Sequence, residues 1–88
     1  MRITAEMSLY PLDRDFVGPI TAFIRTLREQ PGLEVVTNQM STQVRGDFAA
    51  VASAVDRCLE QAMAGTPTAV LVVKYLNADL DIGNAPRV

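Results

Sequence analysis

Histidine and tryptophan are both absent from this 88-residue chain, and cysteine occurs once. Without histidine the usual general base and the commonest transition-metal ligand are missing. Without tryptophan the strongest cation–π platform is missing as well. A lone cysteine, Cys58, excludes an internal disulfide and fits a reducing compartment, so the expected location is cytoplasmic. Positive charge is scarce. Eight Lys and Arg stand against ten Asp and Glu, for a net charge of −2 with no basic cluster, which argues against nucleic acid as a partner. No apolar run approaches about 20 residues, so no membrane-spanning helix is expected. The opening MRITAEMSLY lacks the apolar stretch of a signal peptide. What is present is a high hydrophobic fraction, 49%, enough for a real core. A chain of this length forms one domain and buries only about 60–65% of its unfolded surface, so its stability alone is modest.

Periodicity sets out the elements. Residues 2–10 alternate, with Ile3, Ala5, Met7 and Leu9 on one face and Thr4, Glu6, Ser8 and Tyr10 on the other, as in a half-buried strand that Pro11 ends. Asp13 and Asp15 offer N-caps for a helix from about Phe16 or Pro19 to Glu29, whose stripe is Phe16, Ile20, Phe23, Ile24 and Leu27. Gln30-Pro31-Gly32 stops it. A short strand, Leu33 to Thr37, leads into an Asn38-Gln39 turn, where asparagine tolerates a left-handed backbone. Met40 to Gly46 reads as the third strand. Asp47 should cap a second helix with the stripe Phe48, Val51, Ala52, Val55, Leu59, Ala62 and Met63, closed by Gly65. Thr68 to Leu76 is the last strand. The remainder, 77–88, has no period and is expected to be loosely held or disordered unless a neighbouring subunit pins it, and dispensable for folding, so the folded unit is 1–76.

Strand, helix, strand, strand, helix, strand is the order of an α+β ferredoxin-like βαββαβ sandwich, a four-stranded antiparallel sheet with two helices on one face. Strands one and three lie centrally. The helix side should take Ile3, Ala5, Met7, Leu9, Met40, Thr42, Val44, Leu71 and Val73. The open face then carries Glu6, Ser8, Tyr10, Ser41, Gln43, Arg45 and Lys74 among Val36, Val70 and Val72. An apolar rim around a polar patch marks an interaction surface, so a homodimer or homotetramer is expected. A one-residue slip of register would exchange the two faces.

The stretch TNQMSTQVRG, Thr37 to Gly46, is the least ordinary part. Asn38, Ser41, Thr42 and Gln43 stand where a structural strand would carry Val, Ile or Tyr. They supply many uncharged donors and acceptors within six residues. Together with Ser8-Leu9-Tyr10-Pro11-Leu12, this stretch resembles the thiamine-binding, YkoF-like family of small ferredoxin-like domains, over about Arg2 to Tyr75. The resemblance implies an oligomeric module that binds thiamine or its hydroxymethylpyrimidine half, without catalysis. The ligand-binding candidates are Glu6, Ser8, Tyr10, Asn38, Ser41, Thr42 and Gln43. Glu6 can act as counter-charge to a cation or pair with Lys74 or Arg45 across the sheet. Tyr10 can stack on a ring or simply end its strand with a wet hydroxyl. Ser41, Thr42 and Gln43 can read a pyrimidine edge or bond across the sheet, with Thr42 a candidate for the helix side. Met40 is expected in the core, Asn38 in the turn, and Cys58 as a small buried hydrophobe. No cofactor, metal or catalytic residue is expected. Two other readings remain open at this stage: an oligomeric regulatory or assembly domain, and a cofactor-free enzyme on a heterocycle.

Overall fold

The alternation of residues 2–10 becomes β1, Arg2–Pro11, the strand on which the sheet is built. The computed structural model describes residues 1–88. After β1 come α1 (Val17–Glu29), β2 (Glu34–Thr37), β3 (Thr42–Asp47), α2 (Phe48–Ala64) and β4 (Ala69–Leu76). All three strand pairings are antiparallel and the order across the sheet is β2-β3-β1-β4. This is the ferredoxin-like α+β architecture, with β1 and β3 central.

One face of the pleat makes the core. Ile3, Ala5, Met7 and Leu9 of β1 and Val44 of β3 are buried with Phe23 and Leu27 of α1 and Val51, Ala54, Val55 and Cys58 of α2. Leu71 and Val73 pack against this cluster from β4. Each fully buried side chain of this size contributes about 1.5–3 kcal/mol. Two glycines are required. Gly32 has φ +76°, a left-handed turn after α1 that side chains rarely adopt. At Gly46 a Cβ would stand 2.8 Å from the Gly32 carbonyl oxygen and 3.0 Å from Leu33 Cδ2, so β3 can pass this turn only without a side chain.

Several local expectations are corrected. Met40 is 85% exposed, not core, because β3 begins at Thr42 and Met40 sits in the preceding turn, outside the pleat. That turn needs no left-handed asparagine, since no residue other than glycine has positive φ. Asn38 builds it with its side chain, whose Oδ1 accepts from the Met40 and Ser41 amides at 2.8 and 3.1 Å. Phe16, not Asp13 or Asp15, stands at the N-cap of α1, which has no side-chain capping bond there; Asp15, one residue earlier, accepts from the Gly18 amide at 3.2 Å. Asp47 stands at the N-cap of α2 but makes no capping bond. Instead, the Phe48 amide donates to the Met1 carbonyl at 2.8 Å. The buried stripe of α2 is Val51, Ala54, Val55 and Cys58, at i, i+3, i+4 and i+7, which turns Phe48 and Met63 out to solvent. Gly65 ends the helix at φ −97°, a conformation open to any residue.

The segment after β4 departs furthest from expectation. Rather than hanging loose, residues 78–80 cross one end of the open sheet face. The Thr4 hydroxyl donates to the Ala78 carbonyl at 2.7 Å and accepts from the Leu80 amide at 3.0 Å. Asp79 pairs with Arg2 at 3.0 Å. Arg45 donates to the Leu80 carbonyl at 2.6 Å and pairs with Glu34. Thr4 is left 5% exposed, although it belongs to the face without helices. The period-two pattern cannot show this, because the tail docks through the backbone groups of Ala78 and Leu80 and the Asp79 carboxylate and not through an apolar stripe.

Candidate functional site

Strand register arranges the open face in rows. Glu34, Arg45, Thr4 and Leu76 form the first, and the tail covers it. Val36, Gln43, Glu6 and Lys74 form the second, and Ser8 opposite Val72 belongs to the third. Tyr10 opposite Val70 closes the far end. The tail thus divides the face. The Arg45 guanidinium is committed to the covered half, and the Glu34 carboxylate bonded to it raises its already high pKa further. The second and third rows remain open.

In the open half a hydrogen-bond chain runs across the sheet. Gln43 Nε2 donates to Ser41 Oγ at 2.8 Å, and Ser41 Oγ donates to Glu6 Oε2 at 3.0 Å. The other Glu6 oxygen, Oε1, lies 3.6 Å from Lys74 Nζ. Ser8 Oγ points to the Met40 carbonyl at 3.4 Å, a weak bond. Around this chain lies a groove of about 310 Å3 lined by Glu6, Met7, Ser8, Tyr10, Met40, Ser41, Val72 and Lys74. That is near the lower end of ligand-site volumes, roughly 300–1,000 Å3. Chemically it offers a carboxylate acceptor beside a hydroxyl that can donate or accept, with an aromatic ring at one end.

The seven candidate residues do not form one pocket. Glu6, Ser8, Tyr10 and Ser41 line the open-face groove, and Gln43 reaches it through Ser41. Thr42 is buried on the helix side, its hydroxyl 3.0 Å from that of Thr37. Asn38 is spent on the turn. These two line a separate cleft of about 240 Å3 against Ile20, Phe23 and Ile24 of α1. Ser8, Tyr10, Met40 and Ser41 border both clefts, so the turn 38–41 separates them. The sequence reading left Lys74 as one of two partners for Glu6 and passed over Met40 as a wall of the site. The β1–β4 register that puts Lys74 beside Glu6 had no local signal.

A larger groove, about 430 Å3, runs between α1 and α2 past Asp15, Ala22, Thr26, Cys58 and Gln61. It has no comparable chemistry. The Thr26 hydroxyl is spent on the Ala22 carbonyl. Burial raises the Cys58 pKa, with a smaller rise from Glu29 against a lowering by Arg57, so the thiol is a poor nucleophile.

The comparisons with known proteins agree with the architecture. A family model described as the YKOF-related family matches residues 2–77. None of the curated proteins matches the sequence significantly. Among solved structures, a Streptococcus pneumoniae protein superposes with TM-score 0.84 at 20% identity, covering 94% of each chain. A hypothetical protein of Methanocaldococcus jannaschii gives TM-score 0.77 at 22% identity, over 91% of this chain and 82% of that one. A Thermotoga maritima protein, described as a candidate for thiamine biosynthesis or salvage, gives 0.66 at 18% identity, over 98% and 90%. At these identities the likeness is one of fold.

Proposed function

The chain belongs to the YKOF-related family, and we propose on that footing that it binds thiamine or its hydroxymethylpyrimidine half in the open-face groove, without catalysing a reaction. One observation carries the reading: the chain Gln43–Ser41–Glu6. An aminopyrimidine edge sets an N–H donor beside a ring-nitrogen acceptor, and needs an acceptor beside a donor in return. Glu6 Oε2 and Ser41 Oγ, 3.0 Å apart, are such a pair. Ser41 can turn its O–H to the ring nitrogen while Gln43 still donates to the Ser41 oxygen, and the amine then takes the place of Ser41 at Glu6. Tyr10, at the end of the groove, offers a face for stacking. The thiazolium of thiamine would gain between about 1 kcal/mol in open water and about 4 kcal/mol in a partly covered site from a carboxylate 4 Å away, before desolvation. The description of the Thermotoga relative supports the ligand class. The exposed Val70 and Val72 beside the groove favour a second copy of the chain as its cover, in a homodimer or homotetramer.

Calorimetry with thiamine and with hydroxymethylpyrimidine tests this. Binding to the wild type is expected, weakened about two- to tenfold in Gln43→Ala and in Glu6→Gln, the effect of one net hydrogen bond. Absence of heat with both ligands at millimolar concentration refutes the binding. Unchanged affinity in both variants refutes the site.

A further inference from the structure

Glu6 is not a free counter-charge. Lys74 Nζ stands 3.6 Å from its Oε1, and register fixes the pair: on the open face Glu6 has Gln43 on one flank and Lys74 on the other. Lys74 is also the one cation lining the groove. Arg45 and Arg2, the other cations of this face, are held at the covered end, Arg45 by Glu34, Asp79 and the Leu80 carbonyl and Arg2 by Asp79. The open groove therefore already holds a positive charge beside its carboxylate, and a cationic ligand meets a site whose negative charge is partly balanced.

Resting on the binding function proposed above, we infer that Lys74 is a specificity-determining residue, an internal cation that competes with cationic ligands for Glu6 and leaves neutral ones untouched. The geometry separates the two classes. A neutral ring donating an N–H to Glu6 takes the place of Ser41 at Oε2 and leaves the lysine at Oε1. A ring bearing a fixed positive charge must either push Lys74 off or stand beside it. Pushing it off costs little, because its side chain is 78% exposed and the ammonium returns to water. Lys74 thus tunes affinity for cations and does not block them.

The test is calorimetry on wild type, Lys74→Met and Lys74→Arg, with thiamine as the cationic probe and hydroxymethylpyrimidine as the neutral one. Methionine keeps the aliphatic stem against the sheet and removes the charge. Thiamine is expected to bind Lys74→Met about two- to fivefold more tightly than wild type, the upper scale of an exposed ion pair. The neutral pyrimidine should change by less than about twofold, and Lys74→Arg should restore the wild-type ratio. The gain for thiamine should also shrink at high salt, where exposed charges are screened. Equal tightening of both ligands, or an unchanged affinity ratio between them, overturns the role of Lys74 while leaving the binding function standing. No heat from either ligand with any of the three proteins overturns both.

Discussion

Replacing Thr4 by valine should release the tail without unfolding the domain. Valine matches threonine in shape and is a good strand residue, so β1 itself loses nothing. What disappears is one hydroxyl that holds residues 78–80 twice, donating to Ala78 and accepting from Leu80. At about 0.5–1.5 kcal/mol net for each bond, docking of the tail weakens by about 1–3 kcal/mol, or roughly five- to 150-fold in its docked population. If the tail stayed down, the Ala78 carbonyl and Leu80 amide would face a methyl group, which favours release. Against the lost contacts stands the conformational entropy that the released residues regain, about 1–2 kcal/mol for each backbone unit freed. The Arg2–Asp79 pair is half-exposed and adds only about 0–1 kcal/mol. Global stability of Thr4→Val should therefore fall by no more than about 1 kcal/mol, while local protection at Leu80 collapses. Amide hydrogen exchange at Leu80, read beside a thermal melt, distinguishes the two levels. Unchanged protection at Leu80 would refute the account of the tail. A melt lowered by the full 1–3 kcal/mol would show instead that the tail unfolds only with the sheet.

Two further outcomes are expected. Val72→Asp puts a charge beside exposed Val70 on the open face, so if a second copy covers that face the variant should be monomeric by light scattering at a concentration where the wild type associates. A wild-type monomer at micromolar concentration would remove the assembly proposal altogether. Burial raises the pKa of Cys58, and burial followed by Asp56 raises that of Tyr75. Both groups hold their protons longer folded than unfolded, so the stability they contribute is complete below the unfolded values and is lost as pH rises through the folded ones. Melting temperature should decline from about pH 9 upward, less steeply in Cys58→Ala once its own lower baseline is subtracted, and equal slopes would refute the thiol's part.

The architecture was legible because two periods carry it. Alternation in 2–10 puts Ile3, Ala5, Met7 and Leu9 into the core, and the stripe of α1 puts Phe23 and Leu27 there, with Leu71 and Val73 of β4 packed against them; Phe16, the first residue of the expected stripe, precedes α1 and is exposed. Where a side chain's placement depends on the start of an element and not on its period, pattern reasoning slips. Met40 alternates correctly with Thr42 and Val44, yet the Asn38 side chain closes a turn that holds it out of the strand. The candidate site was half legible for the same reason. Glu6, Ser8, Tyr10, Ser41 and Gln43 share the open face because alternation puts them there, whereas Asn38 and Thr42 belong to a second cleft set by the turn. The long-range partners had no local signal. Nothing in 69–76 says that Lys74, and not Val72, stands opposite Glu6. A two-residue change of register, which keeps the same face of β4 outward, would put Val72 on that carboxylate's flank and free it for a cation. The electrostatic state of the proposed site therefore depends on the β1–β4 alignment, which the core fixes through Met7 opposite Val73 and Leu9 opposite Leu71. The buried face of β4 decides which residue neutralises the exposed one, and the charge offered to a ligand follows from packing on the side of the sheet that the ligand never touches.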